Sequence, residues 1–105
     1  MQQITDKIIE ARQDELITST AALVRIPSVK SAPAPNAPFG EEIRRALDYT
    51  LALCRRLGLD AHDVDGYAGY AEIPSAQGEQ IGVLTHLDVV PAGDGWSFPP
   101  FGAQL

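Results

Sequence analysis

The stretch from Ile81 to Trp96 reads I-G-V-L-T-H-L-D-V-V-P-A-G-D-G-W and holds both a strand pattern and candidate chemistry. Its apolar start, Ile81 to Leu84, is too short and too rich in branched residues for a helix, and predicts a buried strand. His86 would then lie at or just past the carboxyl end of that strand, where open α/β sheets place their ligands. The stretch therefore predicts a sheet with a site at its edge.

Asp88 follows His86 by two residues, so in an extended chain both side chains point to the same side. A carboxylate beside an imidazole fixes its tautomer and makes the other ring nitrogen a better metal ligand. H-x-D alone is a weak motif, because a single histidine after a strand is usually a surface or hydrogen-bonded residue. Pro91, Gly93 and Gly95 strengthen the metal interpretation, since they predict a tight turn that holds the pair rigid.

Length and composition limit the classes of protein to which the chain can belong. A chain of 105 residues forms one domain at most, near the lower end of what buries a comfortable core. Its 45% hydrophobic content is typical of a globular protein. The net charge of −6, without a Lys/Arg cluster, argues against a nucleic-acid partner. No apolar stretch is long enough to span a bilayer, so we expect no membrane partner.

The N-terminus and the cysteine content favour a cytoplasmic location. The first ten residues are polar and helix-like, and they lack the apolar core of a signal peptide. Cys54 is the only cysteine, which excludes an intrachain disulfide. Cys54 lies among leucines in a helical pattern, so we interpret it as a small buried side chain rather than a nucleophile.

The first third of the chain predicts a helix followed by a loop. Residues from about Thr5 to Arg25 have a helical pattern, with Thr5 or Asp6 as a possible cap and Pro27 as the stop. Residues 28–38 are rich in proline and should form an extended surface loop. The apolar stripe that should face the core consists of Ile8, Ile9, Leu16, Ile17, Leu23 and Val24.

The clearest predicted element is a second helix over about Gly40 to Leu57. Glutamates at its start and arginines at its end suit the helix dipole, and Gly58 supplies the terminating turn. Its predicted core face consists of Ile43, Leu47, Leu51, Cys54 and Leu57.

Two weaker strand patterns follow, and together with the Ile81 strand they set the fold class. Leu59 to Val64 and Tyr67 to Ile73 flank the turn-forming Asp65-Gly66, which predicts a hairpin. Pro74 to Gly78 is a further predicted turn. We therefore expect an α/β fold in which two N-terminal helices pack on a partial mixed sheet of about three strands.

The end of the chain predicts an incomplete domain. After Trp96 the sequence runs S-F-P-P-F and stops at Leu105, which leaves aromatic residues without obvious neighbours. Because of an unpaired sheet edge and exposed apolar patches, we expect the domain to be marginally stable, or to be stabilised by self-association through that edge.

The stretch H-L-D-V-V-P-A-G-D-G-W, His86 to Trp96, followed by P-P-F, strongly resembles the first metal-binding motif of the co-catalytic dizinc exopeptidases. That family includes dipeptidases, carnosinases, aminoacylases, acetylornithine deacetylases and succinyl-diaminopimelate desuccinylases. The segments G-Y-A-G-Y-A-E-I-P, Gly66 to Pro74, and R-I-P-S, Arg25 to Ser28, look like the bacterial Xaa-His dipeptidase branch. The resemblance covers essentially all 105 residues and implies that residues 1–105 are the N-terminal part of a metallopeptidase catalytic domain.

The resemblance implies roles for two residues and two zinc ions. His86 matches the histidine that binds one zinc, and Asp88 matches the catalytic-site aspartate that hydrogen-bonds this histidine. In the family a metal-activated water hydrolyses the peptide bond, which implies a dipeptide substrate here. The family's remaining ligands match nothing in this chain, and zinc needs three or four protein ligands. We therefore expect the chain alone to be inactive.

Alternatives to a dipeptidase remain open. One is a non-catalytic α/β interaction module, and another, within the family, is an N-acyl amino acid deacylase or desuccinylase, which shares the D-V-V-P motif. His62 has acidic neighbours, but a solvated strand edge explains them better than a cation site. Trp96 and Phe98 could line a substrate pocket, although packing aromatics are the simpler interpretation.

Overall fold

The computed structural model describes residues 1–76 and 78–105 and contains two helices and two strands. Their order along the chain is the one that the sequence predicts, and the α/β class is confirmed. The elements are α1 (Gln2–Val24), α2 (Glu41–Arg56), β1 (Asp60–Val64) and β2 (Ala68–Glu72).

Helix α2 forms where its sequence pattern predicts. Glu41 and Glu42 occupy its first turn and Arg55 and Arg56 its last, so side-chain charges of the right sign lie at both ends of the helix dipole. The buried side of α2 lies against the hairpin, as its apolar spacing requires. Of the five predicted core positions, Leu47 and Leu51 are buried, Ile43 and Cys54 are partly buried, and Leu57 is exposed.

Strands β1 and β2 form the predicted antiparallel hairpin. Asp65 and Gly66 both have positive φ angles, 54° and 74°, and the Tyr67 N–H donates to the Val64 carbonyl at 3.0 Å. Such a turn matches the right-handed twist of the strands, which explains the Asp-Gly pair at this position. Along the ladder, Ala61 pairs with Ala71.

The small core lies between α2 and the hairpin. Leu47, Leu51 and Ala61 form a buried cluster, and the partly buried Cys54 and Leu87 pack against it. Gly69 permits this approach, because a Cβ at that position would lie 2.9 Å from the nearest side-chain atoms of both leucines. The predicted packing role of Cys54 is therefore confirmed.

Helix α1 differs from its prediction in two respects. It begins at Gln2 rather than at the predicted cap, and the Thr5 hydroxyl donates within the helix to the Met1 carbonyl at 3.1 Å. The prediction of a core-facing stripe is wrong for this chain, since no residue of α1 is buried. Its contact with α2 is limited, and the Tyr49 hydroxyl donates to the Ser19 carbonyl at 2.9 Å. Among the described helices and strands, only α2 packs against α1.

The predicted buried strand at Ile81 is wrong. Residues 81–88 form no strand, and the exposed fractions of Ile81, Val83 and Leu84 are 95%, 89% and 100%. The physical reason is the lack of a neighbour, because β1 and β2 pair with each other and no other described segment runs alongside residues 81–84. The sheet is therefore two-stranded and antiparallel rather than mixed and three-stranded.

Two predicted connections have different outcomes. Residues 28–38 form no helix or strand, as predicted, but Ser28 and Ala37 are buried, so the loop does not lie wholly on the surface. The predicted turn from Pro74 to Gly78 includes Gln77, which lies outside the described residues.

Candidate functional site

His86 and Asp88 lie side by side on the extended segment that follows residue 84. His86 Nδ1 lies 2.9 Å from the Asp88 carbonyl oxygen and 3.4 Å from Asp88 Oδ1. Both side chains are mostly exposed, His86 at 81% and Asp88 at 63%. The structure therefore brings together the two residues that the sequence singled out.

The partner of Nδ1 decides which ring nitrogen is free. A carbonyl oxygen only accepts hydrogen bonds, so Nδ1 carries the hydrogen when His86 makes its 2.9 Å contact with Asp88. In a neutral ring the lone pair then lies on Nε2. An exposed Nε2 with the opposite nitrogen held in this way is the arrangement in which histidine binds a metal ion.

The side chain between the pair anchors it to the core. Leu87 is partly buried against the cluster under α2, whereas His86 and Asp88 on either side of it are exposed. This alternation is the period of two that an extended chain imposes. The pair therefore projects outward from a segment whose middle residue is packed.

Ser28 is a contact that the pattern of residues 81–96 does not reveal. Its hydroxyl donates to the Leu87 carbonyl at 2.7 Å, and its own carbonyl accepts from the Val89 N–H at 3.0 Å. Val29 and Val89 form an isolated parallel bridge at the same place. The only sequence signal for this contact is a small polar residue next to Pro27, in R-I-P-S. That signal does not specify a partner 59 residues away.

The turn behind the pair forms as predicted. Gly93 and Gly95 have positive φ angles, 67° and 86°, and Trp96 Nε1 donates to the Ala92 carbonyl at 2.8 Å. The indole thereby closes a five-residue loop directly after Pro91.

His86 and Asp88 lie on an open cleft of about 440 Å³. One wall is the end of α1 together with Ile26 and Ser28, and the other is the segment 86–92 with Trp96 and Phe101. Apart from Ser28, His86 and Asp88, the lining is apolar or aromatic. Trp96 therefore lines the cleft, whereas Phe98 does not belong to its lining.

The described residues do not fit a complete zinc site. No group of three or more His, Cys, Asp or Glu side chains in residues 1–76 and 78–105 is arranged to hold a metal ion. Zinc takes three or four protein ligands, and His86 with Asp88 falls short of that number. The two residues constitute at most part of a metal centre.

A second polar cluster joins α2 to the hairpin turn. The Arg44 guanidinium lies 2.6 Å from Asp48 and 2.7 Å from Asp63, and it donates to the Asn36 carbonyl at 3.3 Å. The hydrogen bonds to Asp48 and Asp63 raise the pKa of Arg44. The Arg44 hydrogen bond, followed by that from the Gly66 N–H, lowers the pKa of Asp63. With its guanidinium shared between two carboxylates, Arg44 serves to fasten the turn.

His62 belongs to the hairpin rather than to a metal group. Its Nε2 lies 2.9 Å from Asp60 Oδ1, and its ring stacks on Tyr70 with centroids 4.9 Å apart. Cross-strand pairs of this kind stabilise antiparallel ladders. The structure thus agrees with the interpretation of His62 as a strand-edge residue.

Neither helix of the described chain combines the length and the apolar character that a membrane span requires. No protein-family model matches the chain. It is 39% identical over 96 residues to a protein of Bacillus subtilis strain 168 that bears the name "Putative dipeptidase YtjP". It is 40% identical over 95 residues to "Putative dipeptidase" proteins of Staphylococcus aureus strains USA300 and NCTC 8325.

These matches cover most of this chain but little of each relative. They include 90% and 89% of the chain, which spans about a fifth, 20%, of the length of each of these proteins. Over most of its length, the chain is therefore similar to one part of proteins that are named as dipeptidases.

Proposed function

We propose that this chain is the N-terminal part of a zinc-dependent dipeptidase, in which His86 binds one metal ion through Nε2. Asp88 has the role of holding and orienting the ring. The observation that carries the proposal is the 2.9 Å contact from His86 Nδ1 to the Asp88 carbonyl, which leaves Nε2 free on an exposed side chain. The names of the relatives supply the substrate class, dipeptides. A cytoplasmic location belongs to the same proposal.

The proposal requires ligands that the described residues do not contain. When bound, zinc in such enzymes lowers the pKa of a water molecule and polarises the carbonyl that is attacked. His86 contributes one ligand toward the two ions of the complete enzyme, and the other ligands belong to parts of the protein beyond the described residues. We therefore expect the 105-residue chain alone to show no dipeptidase activity.

A chimera tests the proposal. This chain would replace the matching region of the Bacillus subtilis relative, and hydrolysis of dipeptides would be measured with added zinc. We expect His86→Ala to abolish hydrolysis. Asp88→Asn removes the charge of the carboxylate whose Oδ1 lies 3.4 Å from Nδ1 but keeps the main-chain carbonyl, so it should lower kcat/KM by about tenfold, the lower end of what a group beside a metal-binding histidine contributes. His62→Ala is the matched control, because it removes the other histidine without touching the pair.

Folding of each variant would be checked by circular dichroism. Hydrolysis that survives His86→Ala would exclude the metal role of His86. An equal loss in His62→Ala and His86→Ala would show that the histidines act through the fold rather than through the site. An inactive chimera that binds zinc with full stoichiometry would count against dipeptides as the substrate class.

The choice of substrate distinguishes a dipeptidase from an N-acyl amino acid deacylase or desuccinylase. The same chimera would be assayed with dipeptides and with N-acetyl and N-succinyl amino acids. The match of Gly66 to Pro74 to the dipeptidase branch favours the first class. A higher kcat/KM on the acylated amino acids would replace the dipeptidase proposal with a deacylase.

A second candidate is a non-catalytic interaction module. It is favoured by the exposure of large apolar side chains on α1 and on residues 81–84, which a self-associating protein would cover. Sedimentation equilibrium and zinc calorimetry of the 105-residue chain separate the two candidates. A tight dimer without zinc, together with an inactive chimera, would support the module. A monomer at micromolar concentration would exclude self-association through the exposed sheet edge.

A further inference from the structure

Ser28 is the one polar side chain that is buried in the part of the chain that the structure describes, with an exposed fraction of 3%. A buried hydroxyl is unfavourable unless it makes a hydrogen bond. The Ser28 hydroxyl makes one, to the Leu87 carbonyl at 2.7 Å. The location of that acceptor, one residue after His86, connects Ser28 to the candidate site.

Ser28 holds the main chain on both sides of Asp88. The hydroxyl bond orients the peptide unit between Leu87 and Asp88. The Val89 N–H donates to the Ser28 carbonyl at 3.0 Å, and this bond orients the peptide unit between Asp88 and Val89. Both peptide planes that flank the Asp88 Cα are therefore fixed by one residue.

The second of these peptide units is the one to which His86 is bonded. A trans peptide is planar, with its N–H and C=O on opposite sides. When the Val89 N–H points to Ser28, the Asp88 carbonyl must point away from Ser28. That carbonyl oxygen is the atom 2.9 Å from His86 Nδ1. The orientation of the imidazole thus depends on the position of Ser28.

From these contacts we propose that Ser28 is a positioning residue, which fixes the Leu87–Val89 main chain so that His86 keeps its Nδ1–H tautomer. The proposal deepens the proposed function, on which its relevance to dipeptide hydrolysis rests. It names a role for a residue that touches neither ring nitrogen. The hydroxyl acts through two peptide planes, and Nε2 of His86 is the atom that is kept free.

The test is the tautomer of His86, measured by ¹⁵N NMR on the 105-residue chain at a pH where the ring is neutral. We expect Nδ1–H to predominate in the wild-type chain. Ser28→Ala should shift the tautomer ratio of His86 by about two- to tenfold, which is what a single net hydrogen bond is worth. Ser28→Thr keeps the hydroxyl and should restore the wild-type ratio.

Ser19→Ala is the matched control. Ser19 also donates its hydroxyl to a main-chain carbonyl at 2.7 Å, that of Glu15, but it lies on α1. This variant should leave the His86 ratio unchanged, and the ring signals of His62 should be constant throughout. Should Ser28→Ala not fold, Ser28→Cys retains the approximate size and a weak donor. Ser28→Cys should then give a ratio between that of the wild type and that of an unbiased ring.

A role in stability alone predicts a different result. Ser28→Ala would then speed amide exchange throughout the core, including at Leu51, and leave the His86 tautomer ratio of the folded chain unchanged. That outcome would overturn the proposal, as would a wild-type ring that is mainly Nε2–H. A shifted ratio in the 105-residue chain, together with a chimera that still hydrolyses dipeptides without His86, would refute the proposed function and leave the positioning role intact. An unshifted ratio in the 105-residue chain, together with a chimera whose activity depends on His86, would refute the positioning role and leave the proposed function intact.

Discussion

The segment from α2 to β2 and the segment from residue 81 onward are built in opposite ways. The first packs against itself, because Leu47 and Leu51 on α2 meet Ala61 on β1 within fifteen residues of chain. The second has no regular structure before its bridge at Val89, and it is held through Leu87 and Ser28. The comparison shows that the packed part of the molecule and the part that carries the candidate site are different, and that they are joined through Leu87 and Ser28.

The largest expected effect is that of Leu51→Ala in the packed segment. Loss of this buried side chain should lower the free energy of unfolding by about 2–4 kcal/mol, the cost of the lost burial and of the cavity. The measurement is urea unfolding followed by circular dichroism. A change below about 0.5 kcal/mol, the range of surface substitutions, would show that the cluster is not the core of the folded chain.

Gly66→Ala tests the turn that holds the packed segment together. Gly66 has a φ of 74°, and an added Cβ would lie 2.6 Å from the Asn36 carbonyl oxygen. We expect the free energy of unfolding to fall by about 1–3 kcal/mol, because both the backbone angle and the contact are unfavourable for alanine. Thermal unfolding is the measurement.

Gly82→Ala is the matched control from the extended segment. A Cβ at Gly82 meets no atom within 4 Å, and its φ lies outside the left-handed region. Its thermal midpoint should be equal to or slightly above that of the wild type. A loss as large as that of Gly66→Ala would mean that residues 81–84 are packed in solution.

Asp63→Asn tests how charge contributes to the packed segment. Because Arg44 lowers the pKa of Asp63 in the folded chain, this carboxylate stabilises the fold at pH values above its ordinary range. The contribution is lost as the pH falls through the lowered pKa. The urea midpoints of the wild type and Asp63→Asn should therefore differ most near neutral pH and converge in acid. The measurement is urea unfolding of both proteins across the pH range.

Asp48→Asn is the companion variant, since Asp48 is the other carboxylate on Arg44. Asp48→Asn keeps the ion pair between Arg44 and Asp63, so its urea midpoints should fall in acid much as those of the wild type do, whereas those of Asp63→Asn should change less. Equal pH profiles of the two variants would contradict the assignment of the acid-sensitive contribution to Asp63.

The smallest expected effect is that of Leu84→Ala. Its side chain is 100% exposed, so truncation removes no buried contact. The free energy of unfolding should change by less than about 0.5 kcal/mol. A loss of 2 kcal/mol or more, as is typical of a buried leucine, would place Leu84 in an interface with a second copy.

The sequence predicts the packed segment well because its signals are local. The turn residues Asp65 and Gly66 and the charged ends of α2 act over a few positions, and the hairpin and helix appear within one residue of the expected bounds. The Ile81 strand fails because a strand needs a neighbour, and its own pattern does not say where that neighbour lies. The adjacency of His86 and Asp88 follows from their spacing. Ser28 could not be anticipated, because its partner is 59 residues away.

The attachment of α1 has a mechanical consequence. Residues 1–18 are all exposed, while Ser19 and the residues from Ala21 to Leu23 are partly covered, with the Tyr49 hydroxyl on the Ser19 carbonyl. A pivot near Ser19 would divide the helix into a long arm of about 26 Å toward Gln2 and a short arm of about 8 Å toward Val24. The short arm leads within four residues to Ser28. If α1 pivots near Ser19, a displacement of its Gln2 end would move its Val24 end by about a third as much. That movement would reach Ser28, the residue that holds the main chain next to His86.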